Sequence, residues 1–146
     1  FVEAFPTEVI SRGGVFLQSN IHDTTMTVLQ YPNNIIGHIF VSWLHPFKEH
    51  RLVVIGSKGM MSFEDSTEDK KLNFYGKTID ISDGIPKKID GKTEEIPYDQ
   101  EMPLDRELRY FVDHLDGSPI DISDANSAIE VLKILEIATD SLIDDA

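Results

Sequence analysis

The chain has 146 residues and a formal net charge of −13 at pH 7, with no cysteine. The lack of thiols excludes disulfides, thiolate nucleophiles and zinc–thiolate sites, and the acidic excess opposes binding to nucleic acid or to anionic membranes. No apolar run approaches the ~20 residues that span a bilayer, and the start has no basic segment typical of a signal peptide, so we expect a cytoplasmic protein.

Strand-forming residues dominate the first two-thirds of the chain. The pair Gly13-Gly14 interrupts the first β-branched segment, which predicts a bulge or bend there. The segment after residue 65 is hydrophilic and rich in turn residues, which is typical of a sheet edge. The predicted strands are residues 9–17, 22–31, 35–45, 51–55 and 60–64, with weaker strands at 71–75, 79–81 and within 88–96.

The segment 35–45 carries apolar residues on both of its alternating faces. Such a pattern predicts a central strand that is covered on both sides. His38 alternates with Phe40 on this strand, and we interpret it as a packed or hydrogen-bonded core histidine.

The hydrophobic period changes to that of a helix from Pro103 onward. Pro103 suits a first helical turn and Gly117 suits a helix end. A second helix is predicted from about Ser123, which is a reasonable N-cap. The apolar face of the first helix consists of Leu104, Leu108, Phe111, Val112 and Leu115, and that of the second of Ala125, Ala128, Ile129, Leu132, Leu135 and Leu142.

Strands followed by helices predict an α+β fold. We expect one domain over residues 1–146, with a large, mostly antiparallel, open-faced β-sheet and the C-terminal helices packed on one face. Two helices cannot cover both faces of such a sheet. The remaining face is therefore a predicted contact surface for another domain or another copy of the chain.

The turn Gly56-Ser-Lys-Gly59 has two possible interpretations. A phosphate loop of the Walker type requires G-x-x-x-x-G-K-[ST] between a strand and a helix. Here the spacing is shorter and a second strand follows, so we interpret the turn as a β-hairpin with glycines at positions of positive φ. The chain also lacks G-x-G-x-x-G, the turn that holds a dinucleotide, and we expect it to bind no NAD by itself.

Metal and nucleophile signatures are weak. The histidines His38, His45, His50 and His114 show no i, i+4 pairing, so we expect no metal site. No G-x-S-x-G occurs, and Ser57 lies in a turn without a nearby base in the sequence. We therefore assign no catalytic residue to this chain.

One cluster stands above this background: Trp43, His45, Lys48, His50 and Arg51. An indole, two imidazoles and two cations in a short span of an acidic protein are suited to a sugar that carries an anion. Arg would clamp a phosphate or carboxylate through two hydrogen bonds. The alternative is a structural tryptophan with exposed surface cations.

Three segments resemble the C-terminal domain of the glucose–fructose oxidoreductase / inositol dehydrogenase (Gfo/Idh/MocA) family. They are residues 41–65 (VSWLHPFKEHRLVVIGSKGMMSFED), similar to the family's tryptophan strand and hairpin, and residues 103–117 (PLDRELRYFVDHLDG) and 119–141 (PIDISDANSAIEVLKILEIATDS), similar to its last two helices. The segment 47–59 looks closest to members that act on sugar nucleotides, such as UDP-N-acetylglucosamine 3-dehydrogenases.

The resemblance implies an NAD(P)-dependent sugar or sugar-nucleotide dehydrogenase that transfers hydride at a ring carbon. Its Rossmann domain, with the cofactor and the catalytic Glu-Lys-Pro motif, would precede Phe1. The start without Met fits a piece of a longer protein. In this interpretation NAD or NADP belongs to the full-length protein, and the isolated chain is inactive and binds no cofactor.

The resemblance also implies partners for this chain: the Rossmann domain, the substrate, and further copies in a dimer or tetramer. We take Trp43, His45, Lys48 and Arg51 as candidate substrate contacts. The alternative function is a non-enzymatic module that binds protein through the exposed sheet face.

Overall fold

The structure is a computed structural model that describes residues 2–143, with the backbone alone for Ile143. The described residues form antiparallel strands followed by two α-helices, which confirms the α+β fold class. The strands are β1 (Glu8–Gly14), β2 (Thr24–Gln30), β3 (Ile36–Ser42), β4 (Arg51–Gly56), β5 (Gly59–Glu64), β6 (Leu72–Tyr75), β7 (Thr78–Asp80), β8 (Lys87–Ile89) and β9 (Thr93–Glu95), and the helices are α1 (Pro103–Asp113) and α2 (Ala125–Ile143).

The strands form three sheets, in the orders β1-β2-β3, β4-β5-β6-β9 and β7-β8. The expectation of one large sheet is therefore corrected for the described part of the chain. The chain divides into two compact units, one of residues 2–45 and 110–143 and the other of residues 46–109. A single domain over residues 1–146 stays a prediction, and each unit is described by itself below.

The first unit is built around the β1-β2-β3 sheet, whose register joins Ser11 to Thr27 and Thr27 to Ile39. Helix α2 packs against β1. The buried side chains Val9 and Leu29 are directly opposite each other and lie on the same face as Ser11, which is fully buried. The core of this unit therefore lies between α2 and the β1 side of the sheet.

Strand β3 is an edge strand, and the expectation of a central strand was wrong. It pairs only with β2 within the described residues. Phe40 is 57% exposed, and His38, expected in the core, is also exposed. Apolar residues on both faces indicate surfaces suited to burial, but they do not reveal how many strands lie beside them.

The strand β1 has no bulge at its glycines. The register continues without a skipped residue through Gly13 opposite Thr25 and Gly14 opposite Thr24. Gly13 instead permits a close approach, because a Cβ there would lie 2.7 Å from the Thr24 carbonyl oxygen. The predicted bulge is thus replaced by tight packing at the end of the strand.

The N-cap of the second helix lies one residue after the predicted one. Asp124 is the N-cap, because its Oδ1 accepts the backbone N–H of Ser127 at 2.8 Å. That hydrogen bond is the main reason why the pKa of Asp124 lies below its ordinary value. Ser123 adopts φ 58°, in the left-handed region, and so turns the chain into the helix.

The helices bury less apolar surface than the sequence predicted. All five residues of the apolar face predicted for the first helix are exposed, including Leu115, which lies beyond the end of α1. Ile129, Leu132 and Leu135 of α2 are exposed as well. On α2, Ile134, Ala138, Ser141 and Leu142 are partly buried instead. The part of α2 that approaches β1 is therefore a narrow stripe near its C-terminal end.

The second unit contains the predicted hairpin. Gly56 is opposite Gly59, so β4 and β5 are joined by Ser57 and Lys58. Gly59 has φ +148°, and a Cβ there would lie 2.5 Å from the Tyr75 carbonyl oxygen on the neighbouring β6. The turn joins two strands, which confirms the hairpin interpretation over the phosphate loop. Of its two glycines, Gly59 has the predicted positive φ and Gly56 does not. Within residues 2–143, no helix is long and apolar enough to cross a membrane.

Candidate functional site

A shallow cavity of about 200 Å³ lies in the first unit, where β2 begins and β3 ends. Antiparallel pairing creates it, because Thr24 is opposite Ser42 and Thr25 is opposite Val41. Two segments about eighteen positions apart in the sequence thereby lie side by side. The lining residues are His22, Asp23, Thr24, Thr25, Val41, Ser42 and Trp43.

Asp23 is the one buried residue among those that line this cavity. It is only 4% exposed, and its Oδ2 accepts the backbone N–H groups of Phe16 at 2.5 Å and Leu17 at 2.7 Å. Its own backbone N–H donates to the Gly14 carbonyl at 2.8 Å. A buried carboxylate needs such donors to offset its lost hydration, so Asp23 is a structural anchor rather than a free acid or base.

Trp43 is tied to the same anchor through its backbone. Its N–H donates to the Asp23 carbonyl at 2.8 Å, although β3 ends at Ser42. The side chain is 85% exposed. The sheet therefore fixes the position of the residue while its indole remains open to solvent.

The second unit carries a cation cluster centred on Asp65. Lys70 Nζ lies 2.9 Å from Asp65 Oδ1, and His50 Nδ1 lies 3.2 Å from Asp65 Oδ2. The hydrogen bond from Lys70, and then that from His50, lowers the pKa of Asp65, and the charge of Lys48 lowers it further. In return, Asp65 raises the pKa of Lys70.

The other candidate cation of this unit, Arg51, also has an acidic neighbour. Its Nη2 lies 3.6 Å from Glu49 Oε1, and both side chains are more than half exposed. Such an exposed pair is weak, since solvent screens it. The guanidinium can therefore exchange Glu49 for another anion at little cost.

The four predicted substrate contacts fall in different units. Trp43 and His45 belong to the first unit, and Lys48 and Arg51 belong to the second. Their assembly into one binding site stays a prediction. The cavity adds His22, Thr24, Thr25 and Ser42 around Trp43, and sequence reasoning missed these residues because only the strand register brings them near the tryptophan.

The described residues contain no group of three or more His, Cys, Asp or Glu side chains arranged to hold a metal ion. They also do not fit a dinucleotide. Pyrophosphate binding uses a glycine-rich turn that leads into a helix N-terminus, whereas Gly56–Gly59 leads into β5. A nicotinamide cofactor would need residues other than these.

Residues 1–62 match the family model described as the GFO/IDH/MocA C-terminal domain. The resemblance to this family's C-terminal domain is confirmed. The matched residues contain β1, β2, β3 and β4 together with the cavity and Trp43. No curated protein sequence matches the chain significantly.

A solved structure with the same fold is that of the UDP-N-acetylglucosamine 3-dehydrogenase GnnA from Acidithiobacillus ferrooxidans. The two share 13% sequence identity with a TM-score of 0.74, over 95% of this chain and 40% of that one. At this identity the similarity shows a shared fold. The present chain spans well under half the length of that dehydrogenase.

Proposed function

We propose that this chain is the substrate-side and assembly domain of an NAD(P)-dependent oxidoreductase that acts on a ring carbon of a sugar or sugar nucleotide. The observation that carries the proposal is the match of residues 1–62 to the GFO/IDH/MocA C-terminal domain. The similarity in fold to a UDP-N-acetylglucosamine 3-dehydrogenase supports a sugar nucleotide as the substrate class.

In this proposal the nicotinamide cofactor is held by a Rossmann domain that precedes residue 1. Catalytic groups also belong to that domain, because no nucleophile or acid–base pair stands out among the described residues of this chain. The chain contributes pocket walls, with Trp43, His45, Lys48 and Arg51 as the proposed substrate contacts. Lys48 and Arg51 would face the diphosphate of the sugar nucleotide, since on an acidic protein an anion binds where cationic side chains cluster.

A second part of the proposal concerns assembly. Ile10, Met26, Ile36 and Phe40 lie on one face of the β1-β2-β3 sheet by register and are exposed; we call them the open face. An apolar surface of this kind is typical of a contact site. We propose that a second copy of the chain covers it in a homodimer or tetramer in the cytoplasm.

The test of function uses the coding sequence upstream of residue 1. A G-x-G-x-x-G turn and a Glu-Lys-Pro motif there are expected, and the full-length protein should reduce NAD⁺ or NADP⁺ when given UDP-N-acetylglucosamine or a related sugar nucleotide. The isolated chain should show no heat of NAD(P) binding in calorimetry. A Kd in the micromolar range for the isolated chain would contradict the proposal.

The open face favours one alternative, a non-enzymatic module that binds protein. In that case a start codon would lie immediately before residue 1. The full-length protein would then lack a dinucleotide motif and show no reduction of either cofactor.

A further inference from the structure

We propose that Asp90-Gly91 is a site of spontaneous modification, at which the folded chain forms a succinimide and then isoaspartate. The pair lies in the connection between β8 and β9, in the second unit, apart from the proposed substrate contacts and from the open face. The sequence contains three Asp-Gly pairs, at 83–84, 90–91 and 116–117. The structure holds the first and the third in hydrogen bonds and leaves the second open to reaction.

The reaction requires no partner other than water. The backbone nitrogen of Gly91 attacks Cγ of Asp90, and the new C–N bond closes the succinimide ring. One carboxyl oxygen leaves as water, together with the amide hydrogen and a proton from solvent. Water then adds to one of the two ring carbonyls. Addition at the side-chain carbonyl restores aspartate, whereas addition at the main-chain carbonyl gives isoaspartate, in which the main chain runs through Cγ.

Glycine after the aspartate favours the attack, because it has no side chain to hinder its own nitrogen. At residue 91 the fold requires glycine, since a Cβ there would overlap the carbonyl oxygen of Gly76. The Asp90 side chain is 70% exposed, so water reaches it. Its Oδ1 lies 3.3 Å from Lys88 Nζ and 3.8 Å from Lys77 Nζ. Solvent screens such exposed pairs, and the carboxylate is therefore held only weakly.

The nitrogen of Gly91 is available to attack. Within residues 2–143, the Gly91 N–H donates no hydrogen bond. The neighbouring backbone hydrogen bond runs from the Gly76 N–H to the Lys92 carbonyl at 2.9 Å and does not involve residue 91. The attack on Asp90 therefore does not have to break a hydrogen bond of the folded backbone first.

The pair Asp83-Gly84 is held at both of its reacting groups. The Gly84 N–H donates to the Ile81 carbonyl at 2.9 Å, and a carboxylate oxygen of Asp83 accepts a hydrogen bond from Lys87 Nζ. Each bond must break before the ring can close. The loss of one such bond costs about fivefold in rate.

The pair Asp116-Gly117 is held in the same way. The Gly117 N–H donates to the His114 carbonyl at 3.1 Å. The carboxylate of Asp116 accepts the backbone N–H of Ser118 at 2.9 Å and also its hydroxyl. We therefore expect the folded chain to convert at Asp90 well before it converts at either of the other two aspartates.

Isoaspartate at residue 90 would alter the pairing that follows it. The modification adds one methylene to the main chain directly before β9, in which Thr93 is opposite Tyr75 of β6. The longer connection displaces Lys92, whose carbonyl accepts the Gly76 N–H. The amide hydrogen of Gly76 should consequently exchange with solvent faster in the modified chain than in the parent chain.

The experiment follows isoaspartate at each pair while the folded chain is incubated at neutral pH. Trypsin cleaves after Lys and Arg and so places the three pairs in separate peptides, of residues 78–87, 89–92 and 110–133. Electron-transfer fragmentation then locates the isoaspartate. Its rate of formation in the peptide 89–92 should exceed that in each of the other two at least about fivefold. In concentrated urea the three rates should converge, because the hydrogen bonds of the fold are absent.

Two glutamate variants provide a second measurement, in which an isoaspartate-specific methyltransferase counts all isoaspartate in the incubated chain. Asp90→Glu keeps the charge, but its longer side chain would have to close a larger and slower ring, so most of the methylation should disappear. Asp83→Glu is the matched control and should leave methylation unchanged. Circular dichroism verifies that both variants keep the strands of the parent chain.

The other outcomes overturn the proposal. Equal rates at the three pairs of the folded chain, or faster conversion at Asp83 or Asp116, would show that these hydrogen bonds do not select the site. Unchanged methylation of Asp90→Glu would place the isoaspartate elsewhere. A chain that forms isoaspartate in urea but none when folded would show that the fold protects Asp90 as well.

Discussion

The backbone N–H of Ser11 donates a hydrogen bond to the Oγ of Ser141 at 2.6 Å, across 130 residues of the chain. The same hydroxyl donates to the carbonyl of Ser11 or of Ala138, each at 3.3 Å. Strand β1 lies at the edge of its sheet, so its outward N–H would otherwise lack a partner. The end of α2 therefore completes the hydrogen bonding of this edge.

We expect Ser141→Ala to destabilise the chain by about 1–3 kcal/mol, because it leaves the N–H of the fully buried Ser11 without an acceptor. Urea denaturation measures the change. Thr139→Ala is the matched control, since the Thr139 hydroxyl is exposed and donates only to the Leu135 carbonyl of its own helix. Equal losses from the two substitutions would show that the hydrogen bond from Ser11 to Ser141 adds no stability beyond that of a bond within the helix.

The hairpin turn offers a test of backbone packing. Gly59→Ala should cost about 1–3 kcal/mol, because a side chain disfavours φ +148° and would overlap the Tyr75 carbonyl oxygen. Gly56→Ala should be neutral or slightly stabilising, since its Cβ would meet only the Gly59 carbonyl oxygen at 3.9 Å. Thermal unfolding of both variants measures the difference, and a larger loss for Gly56→Ala would contradict the geometry.

The Asp65 cluster predicts a titration effect. In the parent chain, the hydrogen bonds from Lys70 and His50 hold the pKa of the Asp65 carboxyl below its ordinary value. Lys70→Gln removes the largest of these causes, so the pKa of Asp65 should rise toward 3.8. Carboxyl chemical shifts in an NMR titration report this change directly.

The control is Lys71→Gln, because Lys71 pairs with Asp69 and Glu95 instead. It should leave the titration of Asp65 unchanged. Because folding lowers the pKa of Asp65, its ion pairs stabilise the folded chain at pH values above the unfolded pKa. This stabilisation is lost as pH falls through the folded pKa. Folding raises the pKa of Lys70. The stability that Lys70 contributes is therefore fully present below its unfolded pKa and is lost as pH rises through its folded pKa.

The proposed assembly predicts a loss of association when the open face carries a charge. Phe40→Asp should weaken self-association at least about tenfold, because a carboxylate is costly to bury in an apolar contact. Light scattering over a range of protein concentrations measures the molar mass. Ile79→Asp is the control, since Ile79 is also exposed but lies in β7 of the second unit. A parent chain that remains monomeric at high concentration would refute the assembly proposal.

Local chemistry predicted most elements of the fold. The glycine pair at 56 and 59 predicted the hairpin, and the helical period from Pro103 predicted α1. The N-cap was one residue off, because Ser123 and Asp124 are both capable caps and only the left-handed backbone of Ser123 distinguishes them. Which of the two residues becomes the N-cap depends on the backbone angle φ of Ser123. The types of the neighbouring residues do not determine that angle.

Tertiary features were less accessible. Apolar alternation in β3 indicated two surfaces suited to burial, but among the strands that the structure describes only β2 pairs with it. The meeting of His22 and Thr25 with Trp43 follows from the pairing of Thr24 with Ser42, and a shift of one residue in that register would point these side chains to other faces. Trp43 was predicted as a site residue from its place in a short cluster with His45, Lys48, His50 and Arg51.

Within residues 2–143 no strand pairs with the outer side of β3, and this has a practical consequence for handling the protein. A strand with one neighbour presents a template on which a further chain can add, and the net charge of −13 keeps chains apart through mutual repulsion. Salt screens that repulsion but leaves the backbone N–H and C=O groups on the outer side of β3 available for pairing. Concentrated salt should therefore promote fibrillar growth of the chain, and dilute buffer should preserve a clear solution.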